Sequence, residues 1–186
     1  MDLNLHGRTA FVSGSTAGIG LAIAAGLAGA GAQVIVNGRT QARVDRALEA
    51  IRAGAPGANV HGIAADLATA AGADAVVAAH PHVDVLARGL AETLAGTGVT
   101  VNSVLPGPTR SEGVGAFVRQ MAEQQNVSEA EMEKEFFRTA RPTSLLRRFI
   151  TPEEVANLVV YVCSPAASAT TGSALRVDGG VVRAIP

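Results

Sequence analysis

Three glycines closing an apolar run are the residues of this chain best placed to do chemistry. Gly14-Ser15-Thr16-Ala17-Gly18-Ile19-Gly20 follows the apolar stretch Thr9–Val12 and opens a small-residue helix. Glycine allows a tight turn there and lets a pyrophosphate approach the backbone. The helix start adds free N–H groups and a positive dipole end. No Gly-Lys-Ser/Thr follows, so this is not a P-loop. A strand before and a helix after make it a dinucleotide-binding turn. Some twenty residues on, where a carboxylate would bond a ribose 2′-OH, stands Asn37, with Arg39 two places later. No carboxylate repels a 2′-phosphate at that point, and a guanidinium pairs with one. NADP is therefore expected ahead of NAD. The plainer reading of Arg39 is a solvated residue opening the next helix.

Few other groups invite catalysis. The chain has one tyrosine, Tyr161, and one lysine, Lys134, far apart in sequence. Tyr161 falls on the apolar face of a helix over Val155–Cys163 and is expected in the core. Lys134 sits in the charged run Glu129–Glu135 and reads as a solvated helix face. His80-Pro81-His82 offers two metal ligands but no cysteine or carboxylate cluster, so no metal is expected. Cys163 has no cationic neighbour in sequence and reads as a core thiol, not a nucleophile.

The elements that must position these residues alternate. Strands are expected at Thr9–Val12 (buried), Gln33–Val36 closed by Asn37-Gly38, Val60–Ala64, Val83–Leu86, Val99–Val104 and Ala174–Val177. Helices are expected at Ile19–Ala30, Gln41–Ala53 and, weakly, Gly72–Ala79. The stretch Gly113–Arg148 reads as polar helix interrupted by loops, with Ser128 and Glu131 at capping-box spacing. Thr151-Pro152-Glu153-Glu154 starts a further helix, with Thr at the N-cap and Pro at N1. Such alternation predicts an α/β fold, a Rossmann-type doubly wound parallel sheet with helices on both faces. One join is anomalous. Val83–Leu86 runs straight into the helical text from Ala87 with no turn or capping residue, although strand-to-helix links usually take about 2–6 residues.

Bulk composition narrows the class. A length of 186 residues suits one domain, 1–186. Hydrophobic residues are 48% and charged residues 17%, which fits a packed core and excludes disorder. Net charge is −1 without a basic patch, so neither nucleic acid nor an anionic membrane is an expected partner. The lone cysteine excludes an internal disulfide and fits a reducing compartment. Neither a signal-peptide pattern nor a run of about 18 apolar residues is present, so a cytoplasmic protein is expected.

Taken together, these motifs resemble the classical short-chain dehydrogenase/reductase family over essentially the whole chain. The spacing Gly14-x-x-x-Gly18-x-Gly20 resembles that family's cofactor turn. Ala65-Asp66-Leu67 resembles the segment whose Asp lies beside the adenine. Asn102-Ser103-Val104-Leu105-Pro106-Gly107-Pro108-Thr109 resembles the Pro-Gly segment under the nicotinamide, with Thr109 on the carboxamide. The ending Thr171-Gly172-Ser173 through Val177-Asp178-Gly179-Gly180 is also similar. The resemblance implies an NADP(H)-dependent oxidoreductase acting by hydride transfer on a small carbonyl or alcohol. It implies cofactor contacts from Gly14, Ser15, Thr16, Gly18, Ile19, Gly20, Asn37, Arg39, Asp66, Leu67, Pro106, Gly107 and Thr109. Residues 111–149 would form the substrate lid, where Phe117, Met121, Phe136 and Phe137 either line an apolar pocket or pack as core.

The departure is equally specific. Members carry Asn-Asn-Ala-Gly after the fourth strand, then a helix, a strand ending near a catalytic Ser, and a long helix with Tyr-x-x-x-Lys. This chain has Ala87-Arg88-Gly89 after Leu86 and none of the rest. The gap coincides with the uncapped join, so one internal segment is absent between Leu86 and Arg88, and with it a central βα portion. No catalytic residue can be assigned, and the chain as it stands is expected to be inactive. Two readings stay open: a longer, active polypeptide that contains the stretch, or a shortened chain that binds dinucleotide or pairs with intact subunits. The resemblance implies a homo-oligomer in the intact form. Loss of the helices that build its interface implies exposed apolar surface.

Overall fold

A computed structural model describes residues 3–69, 71–72, 75–76 and 95–183. The join at Leu86–Arg88, the expected strand Val83–Leu86 and the His80–His82 pair lie outside the described residues. Strand β1 (Thr9–Val12) leads through the glycine turn into α1 (Gly18–Gly29). Then follow β2 (Gln33–Gly38), α2 (Gln41–Gly54) and β3 (Val60–Ala64). After the undescribed stretch come β4 (Ser103–Pro106), α3 (Glu112–Gln125), α4 (Glu129–Thr139), α5 (Pro152–Val162), a 3-10 turn (Pro165–Ala167) and β5 (Ala174–Val177).

All described pairings are parallel, as the alternation predicts. β1, β2 and β3 form one sheet in that order, and β4 pairs with β5 in another. Parallel pairing needs helical crossovers, and α1 and α2 supply them. β2 is the most buried strand, with Val34, Ile35 and Val36 at 2% exposure or less. β1, expected to be buried, is only half-buried. Among the described residues it pairs on one side alone, with β2.

Helix α5 joins the halves by packing along α1. Val160 belongs to the same core as Ala24, Leu27, Val34 and Val44. The approach is close at Gly26, where a Cβ would stand 2.9 Å from Val160 Cγ2. Burial of each such Val or Leu contributes about 1.5–3 kcal/mol. A second core lies under α3 and α4, built from Val118, Ala122, Met132, Phe137 and Phe149. Phe136, Phe137 and Phe149 meet there with centroids 5.0–5.1 Å apart.

Both expected capping boxes are present, Ser128 with Glu131 and Thr151 with Glu154. Glu154 does more than cap. It also takes two bonds from Arg148, at 2.9 and 2.7 Å. Arg148 first, then the Thr151 N–H, hold its carboxyl down at about 2. A depressed carboxylate stabilises fully above the ordinary glutamate range and loses that contribution as pH falls through its folded value. The start of α5 should therefore loosen only as pH drops toward about 2. A side-chain NMR titration of Glu154 checks this, and Arg148→Ala should move its midpoint upward.

Two expected boundaries shift. β2 continues through Asn37 and Gly38, because Asn37 is itself bonded into the sheet. The strand expected at Val99–Val104 starts instead at Ser103 and runs to Pro106. Before Ser103 one backbone bond remains, Gly172 N–H to Val101 O at 2.8 Å, and the other bonds that hold the chain run through side chains. Val101 N–H donates to Thr171 Oγ1, Asn102 Nδ2 to Thr170 O, and Ser173 N–H to Asn102 Oδ1.

Candidate functional site

The glycine turn owes its shape to its backbone angles and to one buried amide. Gly14 and Gly18 have φ of +59° and +56°, which L side chains rarely adopt. A Cβ on Gly20 would lie 2.6 Å from Gly14 O, so the turn closes only on a bare Cα. Ser15 is fully buried. Its hydroxyl donates to Val12 O at 2.6 Å and accepts from Asn37 N–H at 3.0 Å. Asn37, 3% exposed, donates through Nδ2 to Ile63 O and Ala65 O, while Oδ1 faces Gly14 N at 3.4 Å. One side chain thus ties together the ends of β1, β2 and β3. The bonding capacity of Ser15 and Asn37 goes to holding the turn. Asn37→Leu should leave two carbonyls without their donor and lower stability by about 3 kcal/mol, a loss that urea unfolding would measure.

Beyond that clamp, at the C-terminal strand ends, opens a cavity of about 340 Å³. Gly14, Thr16, Asn37, Arg39, Asp66 and Leu67 line it, all of them expected from sequence. This is the crevice where open parallel sheets bind ligands. Asp66 Oδ1 accepts from Ala68 N–H at 3.1 Å, which fixes the loop after β3. Gly18, Ile19 and Gly20 form the first turn of α1, whose N-cap Ala17 provides no side-chain cap. Their amides and the dipole suit an anion.

Arg43 also lines this cavity, and the sequence reading missed it. Its spacing of four from Arg39, across the start of α2, was the available signal. Both arginines are exposed. Among the described residues neither guanidinium has an ion-pair partner or a side-chain hydrogen bond.

Pro106, Gly107 and Thr109 lie elsewhere, on a second cavity of about 560 Å³ beneath α3 and α4. A Cβ on Gly107 would sit 2.5 Å from Asp178 O, so β4 meets the end of β5 there only as glycine. Thr109 is 7% exposed and donates its hydroxyl hydrogen to Gly107 O at 2.9 Å. Its oxygen remains an acceptor. The next residue, Arg110, pins this segment to α4 through Glu129 at 2.7 Å and Glu133 at 2.6 Å. The other oxygen of Glu133 accepts from Phe149 N–H. The start of α3 also touches the glycine turn, since a Cβ on Gly18 would lie 3.6 Å from Ser111 Cβ. Of the four lid residues, Phe117 and Phe136 line the cavity, while Phe137 is core and Met121 packs against that core.

Neither cavity contains the tyrosine or the lysine. Lys134 is exposed on α4, as expected. Tyr161, expected in the core, is instead 37% exposed on α5. Cys163, also expected in the core, is exposed just past the end of that helix. Its apolar neighbours still desolvate the sulfur enough to push the thiol pKa up, so it is no ready thiolate. No group of three metal-ligating side chains occurs among the described residues.

Comparison with known proteins places this geometry. Residues 8–87 match the family described as short chain dehydrogenase, and residues 72–182 match one described as Enoyl-(Acyl carrier protein) reductase. The uncharacterized oxidoreductases YvaG and YvrD of Bacillus subtilis are each 32% identical, with 100% of both chains covered. The comparison with YvaG runs over 263 positions against 186 residues here, which leaves 77 positions without a residue of this chain. The fold is similar to that of L-sorbose reductase from Gluconobacter frateurii, solved with NADPH and L-sorbose. The TM-score is 0.86 at 21% identity, with 100% of both chains covered.

Proposed function

The chain belongs to the short-chain dehydrogenase/reductase family, and from that premise we propose that it binds NADP(H) while lacking the groups to turn it over. The observation that carries this reading is the cavity at the strand ends, where neither the Arg39 nor the Arg43 guanidinium has a partner among the described residues. A 2′-phosphate is the dianionic group that two such guanidinium groups recognise. The pyrophosphate then falls on the Gly14–Gly20 turn and the adenine beside Asp66 and Leu67. Pro106 and Gly107 support the nicotinamide, and Thr109 Oγ1 accepts from the carboxamide. When bound, the cofactor supplies hydride; the chain's own residues hold it and shield one face. Residues 111–149 act as the lid over the second cavity. The NADPH in the L-sorbose reductase structure is consistent with this choice of dinucleotide.

Among the described residues, neither the tyrosine nor the lysine lines either cavity to supply the proton that a carbonyl oxygen needs as hydride arrives. A second reading rests on the 77 unmatched positions: a longer polypeptide carrying the Ser and Tyr-x-x-x-Lys segment is a complete carbonyl or alcohol oxidoreductase and a homo-oligomer. Fluorescence titration of the 186-residue chain with NADPH and NADH tests the binding site. Saturable binding, tighter for NADPH by about tenfold, is expected. Failure of both nucleotides to bind removes the proposal.

A further inference from the structure

The cavity beneath α3 and α4 is walled by Leu105, Pro106, Phe117, Val118, Phe136 and Phe149. Three charged residues complete its lining: Arg141, Arg176 and Asp178. The Arg141 guanidinium donates to the carbonyl of Ala140, at 2.8 Å, and faces the Phe136 ring at 6.0 Å. Arg176 donates to the carbonyl of Val182 at 3.3 Å. Neither has a carboxylate at ion-pair distance among the described residues. Asp178 is bonded to backbone, accepting from Gly180 N–H at 2.9 Å and Val182 N–H at 3.0 Å. Asp178 also lies within electrostatic reach of Arg176, so two cations and one anion leave the cavity lining with a net charge of one positive on an apolar wall.

We infer that this cavity takes an apolar molecule with a single anionic head, a medium-chain carboxylate, held through Arg141 and Arg176. The inference deepens the proposed function by naming a substrate class, and it rests on residues 111–149 being the lid. Apolar chain buried against the phenylalanines supplies the driving force. The carboxylate gains charge-assisted bonds, while a neutral head of equal length leaves the guanidinium groups desolvated and unmatched. A cationic head is repelled.

Calorimetric titration of the 186-residue chain with octanoate, 1-octanol and octylammonium tests this. Octanoate should bind at least about tenfold more tightly than 1-octanol, with octylammonium weakest. Arg141→Gln and Arg176→Gln should each reduce that advantage, and the double variant should abolish it. Thermal melting of each variant reports folding, and Arg141→Gln alone carries the test if the double variant fails to fold. Equal affinity for octanoate and 1-octanol, no octanoate binding, or a preference that survives Arg141→Gln intact would overturn the inference. The NADPH titration is read separately, so its failure and this one are distinguishable.

Discussion

Given NADPH and a panel of aldehydes and ketones, the 186-residue chain should consume no cofactor above the solution background. Reduction of a carbonyl needs a proton on oxygen as hydride reaches carbon, and a positioned acid is typically worth about 10²–10⁴ in rate. Here the whole Ser, Tyr and Lys constellation is absent, and groups that act as a unit are lost as a unit. The chain's own tyrosine and lysine offer no replacement. Tyr161 projects from α5 and Lys134 from α4, and neither lines a cavity. The rate should therefore lie at least about 10⁴-fold below that of an intact relative assayed alongside. Loss of NADPH absorbance over time is the readout. Steady, enzyme-proportional consumption would mean that an unassigned group donates the proton.

The second large effect is expected at Arg39 and Arg43. Arg39→Ala with Arg43→Ala should weaken NADPH binding by about tenfold and leave NADH binding nearly unchanged. A hydrogen bond to a charged group contributes about 1.5–3 kcal/mol, and exposure of both side chains reduces that to roughly 0.7 kcal/mol each. At that size each single variant should lose about threefold. Raising ionic strength should narrow the gap between NADPH and NADH, because exposed charges are screened within about 10 Å at 0.1 M salt. Equal loss of both nucleotides in the double variant would instead indicate damage to the loop between β2 and α2.

The parts of this fold that the sequence discloses are those whose causes are local. The Thr151-Pro152 start of α5 and the Ser128 box each depend on residues within four positions, and each stands where expected; the glycine turn is marked by its own spacing, although the distant Asn37 holds it. The cleft lined by Gly14, Thr16, Arg39 and Asp66 lies where strand ends and the helix start follow one another directly, and its place was legible from that order. What was not legible depends on partners distant in sequence. Asn37 lines the cleft at the position expected, but nothing local shows that its amide is bonded to Ile63 O and Ala65 O. Val99–Asn102 reads as strand until Thr171 and Ser173 are seen to hold it. Tyr161 and Cys163 have the apolar setting of core residues, but exposure depends on what packs against α5, and no periodicity encodes that. Arg43 reads as part of the outer, solvated face of α2, and only the packing of α2 against the strand ends turns it to the cleft. Leu105, Phe117, Leu145, Leu146 and Val182 are exposed, and no local pattern in the sequence marks them as such.

The account turns on covalent continuity from Leu86 through Ala87 to Arg88. After Arg52 the next site for trypsin is Arg88, so one peptide, Ala53–Arg88, reads across the join. Mass spectrometry of a tryptic digest of the protein from its own cells, with the undigested mass beside it, is the direct measurement. The account predicts that Ala53–Arg88 is found as a single contiguous peptide. A peptide that continues past Leu86 into other sequence, in a chain several kilodaltons heavier, would contradict it and restore the complete oxidoreductase.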